Sequence, residues 1–408
     1  MSPALSLIRD SSTPLAYRNN PNLAVFAEAF ARGVMKRLAR CVPAGSAGEA
    51  LLALCNDMAG SGVLRDAHAW QPELGACLER MKRQQALEAV VQALFAMHAL
   101  RAAGTWSLAP DVPVRVSMGG HIFDLTGRVD VQGDAGRLQL RRSDIACAPL
   151  LFAYEDGRWR LAEPAAAPWR YVAPSFLAQD GFESCYVQAW SLPDSHRPGD
   201  DLLVDWPPQP TDEGCALLAS QAARQMGEAF ALLEQAGPRY LPWLQPVMRG
   251  IAACPVYGPG LRVSASFPNH FGVISAAFPL LTPYLAEILV HEFSHQYYLL
   301  LEAVMPLVKK EVQPRLYYSS FKMKQRPLGK ILLTYHATAN MALFWHDLHE
   351  SGGTDMPLYR QELENLLRHT DSLGVIIASS NGLTEAGEAM FETQRELLAT
   401  RDLLGCGA

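Results

Sequence analysis

The residues best suited to chemistry are His291, Glu292 and His295, which read HEFSH within LAEILVHEFSHQYYLLLEAV. At about 100° per residue, histidines at i and i+4 leave a helix from nearly the same face, so both imidazoles can converge on one divalent ion. Glu292 lies beside the first ligand and can face the reaction space. In a zinc hydrolase such a carboxylate is the general base that takes a proton from metal-bound water. The apolar neighbours Ile288, Leu289, Val290 and Phe293 suit a secured metal or an ordinary core helix, and the histidine pair tips the balance toward the metal.

A working metal needs a further protein ligand and an open coordination position. The extended pattern HExxHxxGxxH is absent, because Tyr298 and Leu301 occupy the places of its Gly and third His. Glu302 and Glu311 are the carboxylates available to a zinc peptidase, Glu311 the better of the two since it can lie on a following helix; each otherwise reads as a solvent-facing charge. His336, within the apolar run GKILLTYHATANMALFW, is the stronger third ligand, because a helix there would pack against the HExxH helix and turn one imidazole inward. Its plain alternative is a core histidine with ordinary hydrogen bonds. Tyr335 and Asn340 flank it and could orient it, although core packing and a helix-surface amide are their simpler roles. His346, His349 and His369 lie in more charged surroundings. His121 and His270 fit substrate contact or, more simply, turn hydrogen bonding. Three neutral imidazoles suit zinc or iron, and affinity order alone does not separate the two.

The elements that must carry these residues follow from periodicity. PNLAVFAEAFARGVMKRLARC, EALLALCNDMA and the long run from about Leu74 to Ala102 read as helices. After Gly104 the pattern shortens and alternates, so hairpins are expected from Val112 to about Leu140, and another in LLFAYEDGRWRLAEP with Glu155, Asp156 and Gly157 at its turn. Pro164 to Pro210 is rich in Pro, Asp and Ser and reads as packed loops. CALLASQAARQMGEAFALLEQAG is helical and stops at Gly237 and Pro238. LRVSASF and FGVISAAF read as strands joined at Pro268 and Asn269, feeding the HExxH helix, whose Pro283 is tolerated in a first turn. Helices are expected again at GKILLTYHATANMALFWHDLHE, YRQELENLLRHTD and LTEAGEAMFETQRELLAT, the last capped by Thr384. The expected fold is α+β and predominantly helical, with a β-rich middle and a C-terminal helical metal-binding core, and not a jelly roll. It divides into a helical region 1–105, a β-rich and loop region 106–210 and a mainly helical region 211–408, which could also form one continuous domain.

Composition excludes several function classes. With 408 residues, 49% hydrophobic and 19% charged, and a formal net charge of -6, the chain is an ordinary globular one with ample length for a buried site. Weak acidity and the lack of a helix-turn-helix, zinc-finger or RNA-binding signature argue against nucleic acid. No signal sequence and no long apolar span is legible, so a cytoplasmic, non-membrane protein is expected. The eight cysteines form no CxxC pair and read as free thiols. The oligomeric state is not legible.

FGVISAAF before LAEILVHEFSHQ, then RPLGKILLTYHATANMALFW and LTEAGEAM, resembles the HExxH-motif peptide-modification family associated with iron(II)- and 2-oxoglutarate-dependent peptide β-hydroxylases. The resemblance covers mainly Leu261 to the C-terminus. It implies a metal triad of His291, His295 and His336, with 2-oxoglutarate and O2 as cosubstrates and a ribosomally made precursor peptide as substrate. It also implies a cationic partner for the distal carboxylate of 2-oxoglutarate. Arg326, in the RP pair preceding a helix, is the first choice, followed by Arg315, Lys322, Lys324 and Lys330. Where the family often carries additional arginine character just upstream, this chain has Lys322 and Lys324. Arg137, Arg141 and Arg142 are a candidate contact for an acidic leader, or simply a solvated strand end. The competing readings are a zinc metallopeptidase with Glu292 as general base and a noncatalytic peptide-binding protein.

Overall fold

The computed structural model describes residues 2–41, 49–53, 72–82, 84–189, 212–255, 264–266, 271–352 and 355–404. His270 and the expected turn at Pro268 and Asn269 lie outside the described residues. The fold is mixed α+β, mostly helical with a β-rich middle, and no jelly roll is found among the described residues. Two compact units emerge. The first combines Met1–Leu23, Gln225–Met248 and Leu280–Ala408; the second combines Ala24–Arg224 and Arg249–Pro279.

The second unit holds the β-structure. Gly104–Leu108, Val129–Gly133, Arg137–Arg142, Leu150–Glu155 and Arg158–Leu161 form an antiparallel five-stranded sheet. Its alternating inward residues, among them Val129, Val131, Leu138, Leu140, Leu150 and Phe152, are buried, as expected for a sheet with one covered face. The last hairpin turns at Asp156 and Gly157, both with positive φ (50° and 77°), a conformation that Gly adopts without steric cost. A three-stranded sheet of Val114–Met118, His121–Leu125 and Tyr171–Val172 stands beside the helix Ala86–Ala99. There the Gln92 side-chain amide mimics a strand edge, donating to Ser117 O at 2.7 Å and accepting from Ser117 N at 3.1 Å.

Three features depart from expectation. The stretch from Pro164 that reads as packed loops contributes the strands Tyr171–Val172, Ser175–Phe176 and Tyr186–Ala189, each too short to show an alternation. The run from Leu74 to Ala102 is two helices, Pro72–Lys82 and Ala86–Ala99, because Gln84 takes a left-handed φ of 61° that ends one helix before the next begins. The strand Val273–Phe278 pairs antiparallel with Ser264–Ser266, as a hairpin would, and also parallel with Gly250–Pro255 in a mixed five-stranded sheet. Both parallel partners are apolar and almost wholly buried, and with no alternation to read, periodicity could not announce the pairing.

His98 and His121 are buried in this unit as structural imidazoles. Trp106 Nε1–H donates to His98 Nε2 at 3.0 Å, which leaves the His98 Nδ1–H for Ala102 O. His121 is held by Trp159 O and Tyr171 Oη, so the hydrogen-bonding role replaces the substrate-contact alternative. Burial pulls both rings down to about 4, below the ~6.5 of an unfolded histidine. The unfolded chain therefore takes up more protons between those values, and stability falls as pH falls. The expected loss is up to about 1.4 kcal/mol per pH unit per ring, levelling below the folded values. Urea unfolding followed by tryptophan fluorescence at pH 7 and pH 5 checks this, and a His121→Gln variant should show a shallower slope. Equal slopes would refute it.

The first unit is helical. Its helices are Pro3–Ser11, Tyr240–Leu244, Thr282–Val304, Leu328–Glu350, Met356–Ser380 and Glu385–Ala399. The helix Asp212–Ala236 enters it from Gln225 onward and stops at Gly237 and Pro238. Asp355 and Thr384 cap their helices by accepting from Leu358 N and Gly387 N. A short exposed hairpin, Leu316–Ser319 with Lys324–Pro327, runs directly into the helix Leu328–Glu350, with Pro327 as its N-cap residue. None of the described helices is long and apolar enough to cross a membrane.

Candidate metal centre

Two helices build the site. Thr282–Val304 carries HEFSH, and Leu328–Glu350 packs against it along its length. Tyr298 Oη donates to Gly329 O at 2.8 Å, Asn340 Nδ2 donates to Ser294 Oγ at 2.9 Å, and Trp345 Nε1 donates to the Glu287 carboxylate. Partners that descend along one helix ascend along the other, so the pair is antiparallel. That register sets His336 level with the second histidine of the motif.

His291, Glu292 and His295 offer ligand atoms that all lie within 4.8 Å of one another, and no other group of three or more His, Cys, Asp or Glu among the described residues does so. The two imidazole centroids are 4.5 Å apart with their planes at 78°, and His291 Nε2 is 3.9 Å from Glu292 Oε1. This is a two-histidine, one-carboxylate group with HExxH spacing, a donor set found on non-haem iron as well as on zinc. Glu292 is 2% exposed. His291 Nδ1 lies 2.9 Å from Met341 Sδ, a weak acceptor on the facing helix.

Burial lowers the pKa of all three imidazoles. For His291, Glu292 opposes the shift and Lys322 adds to it. His295 is driven well below its ordinary value by burial, and then by the neighbouring charges of His291, His336, Lys322 and Lys330. His336 falls to about 4 through burial, against the pull of the Ser12 and Ser294 backbones. Neutral imidazoles keep a nitrogen lone pair available to an ion.

His336 is fully buried, and its Nε2 is 2.6 Å from the Ser12 carbonyl. A carbonyl only accepts, so Nε2 carries the proton and Nδ1 the lone pair. That Nδ1 has no hydrogen-bond partner, and neither has His295 Nδ1. A buried polar nitrogen without a partner costs about 1–3 kcal/mol. The group whose ligand atoms converge is His291, Glu292 and His295, and His336 does not join it; its ring is nonetheless held as ligating histidines often are, one nitrogen tied to a backbone carbonyl and the other bare. The same carbonyl accepts from Asn340 Nδ2 at 3.0 Å, and Gln394 Nε2 donates to Asn340 Oδ1 and to His336 O.

Asn340 is thus no helix-surface amide but the centre of a buried polar network, because its face of the helix is covered by the N-terminal segment and by the helix Glu385–Ala399. Tyr335 does pack in the core, with its ring 4.9 Å from Phe391. Ser12, Ser294 and Gln394 were missed from sequence. Polar residues inside apolar helical runs could have flagged the last two, but nothing local marks a carbonyl 324 positions away from His336.

The other candidates scatter. Glu302 is solvent-facing, and Tyr298 Oη reaches its Oε1 at 3.5 Å; Glu311 is exposed in a single 3-10 turn. Neither joins the ligand cluster. His349 stacks on Tyr359, His346 lies 3.5 Å from Asp347, and His369 Nδ1 meets Ser320 Oγ at 3.1 Å. Among the cations, Lys322 at the hairpin turn acts on His291 and His295; burial, Arg326 and Lys324 lower its own ammonium while Glu292 raises it. Arg326 lies on the second hairpin strand, opposite Tyr317, and its charge acts on Lys322. Lys330 acts on His295 and Glu302. Arg315 is exposed just before the hairpin. In the second unit, Arg142 is committed to Asp144 at 2.6 Å, whereas Arg137 and Arg141 are exposed.

Compared with protein-family models and with curated proteins, the sequence matches none. The chemistry is accordingly read from the donor set and its surroundings.

Proposed function

We propose that the protein is an iron(II)- and 2-oxoglutarate-dependent dioxygenase that hydroxylates a side-chain β-carbon in a ribosomally made precursor peptide. The observation that carries this reading is the converging His291, Glu292 and His295 cluster, with Glu292 buried, the bare Nδ1 of His336 on the facing helix, and the charges of Lys322 and Lys330 acting on His295. His291 and His295 would hold the ion, with His336 or Glu292 as third donor. Bound iron with its cosubstrate supplies the coupling of 2-oxoglutarate decarboxylation, giving succinate and carbon dioxide, to insertion of one atom of O2 into a C–H bond.

The chain's own residues bind and orient. Ser12 O and Asn340 fix the His336 ring by holding its Nε2 side. Lys322, whose charge reaches His291 and His295, joins Arg326 as a first candidate for the distal carboxylate, with Lys324, Lys330 and Arg315 setting a positive surround. Glu292, buried beside His291, orients water or substrate in this reading.

Anaerobic loading with iron(II), followed by oxygen, 2-oxoglutarate and a candidate precursor peptide, tests the proposal. Succinate should appear in step with a peptide mass gain of one oxygen. Lys322→Ala should raise the 2-oxoglutarate concentration for half-maximal turnover by about tenfold or more, the loss of one charge-assisted contact. Peptide cleavage with zinc and no cosubstrate would overturn the reading and give Glu292 the general-base role.

A further inference from the structure

The hairpin Leu316–Ser319 with Lys324–Pro327 is a sheet of two strands, so among the described residues each strand keeps one edge unpaired. Its register puts Leu316, Tyr318, Gln325 and Pro327 on one face, since alternate residues of a strand point the same way. All four are exposed, Leu316 by 61% and Tyr318 by 53%, and so is Met323 beside them at the turn, by 77%. On the opposite face Ser319 is buried and Tyr317 and Arg326 are half-buried, the helix Leu328–Glu350 packing on both strands. Both ends of the ribbon are held. The second strand runs directly into that helix, and at the turn Phe321 meets the His369 ring edge-on at 5.3 Å, with Ser320 Oγ 3.1 Å from His369 Nδ1.

The charge along this ribbon is of one sign. From Lys309 to Lys330 the chain has seven Lys or Arg and a single acid, Glu311, in a molecule of net charge -6, and the next carboxylate along the sequence is Asp347. Arg315 and Lys324 are exposed and form no ion pair among the described residues. Like charges facing one another repel, so this edge rejects a second copy of the same hairpin and favours an acidic strand. The charge of Lys322, at the turn, reaches His291 and His295, so the ribbon borders the candidate metal centre.

We propose that this hairpin is the docking edge for the peptide substrate: an acidic segment adds to it in extended form as a third strand, its apolar side chains beside Leu316 and Tyr318 and its carboxylates toward Lys324 and Arg326 on the other face. Backbone hydrogen bonds to the open edge supply affinity, and the alternation of apolar and acidic residues supplies specificity. The inference rests on the proposed reading that the substrate is a peptide, and it needs no metal to be tested.

Fluorescence anisotropy of the metal-free full chain with a labelled peptide of alternating Glu and Val tests it. Binding should saturate and weaken as salt is raised, and the counterpart with Gln for every Glu should bind about tenfold more weakly or worse. Of two forms N-methylated along one edge of the peptide or the other, one should lose about tenfold or more, because the donors it needs for pairing are gone. Leu316→Ser with Tyr318→Ser should weaken the peptide by a similar factor while circular dichroism stays unchanged; the peptide series on the unaltered chain decides the matter if that variant does not fold. The docking is overturned by no saturable binding, by a Gln counterpart that binds as tightly, by two methylated forms that both bind like the parent, or by an oligothymidylate that binds more tightly than the peptide. Since binding is read without iron or cosubstrate, a docked precursor peptide that is never oxidised counts against the proposed reaction alone. Oxidation of that peptide left undiminished by the double variant counts against the docking alone.

Discussion

His295→Ala should yield a folded protein that no longer retains a divalent ion, with metal affinity down by more than about a hundredfold and turnover abolished, as follows from removing one of the ligands that define a metal site. Cobalt(II) absorption and metal content by mass spectrometry after gel filtration read the first effect, and succinate formation reads the second. The fold should survive because His295 Nδ1 has no partner to lose. Removing a buried, unsatisfied nitrogen relieves about 1–3 kcal/mol, which offsets the cavity left by the ring. What disappears is the increment from the ion itself, about 2.7 kcal/mol when free metal exceeds its dissociation constant a hundredfold. In thermal melts, added metal should therefore raise the Tm of the parent and leave the variant unmoved. Metal retention by the variant would remove the HExxH pair from the site altogether.

The pair His336→Leu and Asn340→Leu carries the second large effect, because it separates a ligand from the network that aims it. Asn340 is fully buried and serves Ser12 O, Ser294 Oγ and Gln394 Nε2. Leucine there strips the Gln394 amide of one acceptor and removes every bond to Ser294 and Ser12 from this position, at a cost of about 2–4 kcal/mol. A lower denaturation midpoint with unchanged m-value reads that loss. His336→Leu gives up one hydrogen bond to Ser12 O, and Asn340 still satisfies that carbonyl, so its stability cost should be smaller. Its metal affinity should nonetheless fall more than that of Asn340→Leu. If His336→Leu binds the ion as the parent does, the third donor is Glu292, and Glu292→Ala should then release the metal instead.

Much of the scaffold was legible. Leu328–Glu350 and Glu385–Ala399 follow from apolar periodicity and the Thr384 cap, the expected helix over 359–371 is the middle of the longer Met356–Ser380, and the Asp156 and Gly157 turn follows from its residue types. Those are local signals, set by backbone conformations within a few residues of one another. The break at Gln84 and the parallel pairing of Gly250–Pro255 with Val273–Phe278 were not legible, since one is a single backbone rotation in a helical composition and the other joins segments with no alternation.

The same division runs through the site. HEFSH alone determined that two imidazoles share nearly one helix face with a carboxylate beside the first, because about 100° per residue brings positions i and i+4 together. Only the tertiary structure decided that the Ser12 carbonyl holds His336 by Nε2, that Asn340 is a buried junction, and that the charge of Lys322 reaches both histidines of the motif. Those relations link positions far apart in the chain. Helix packing and burial create them, and a linear pattern of residue types contains no distance between such positions.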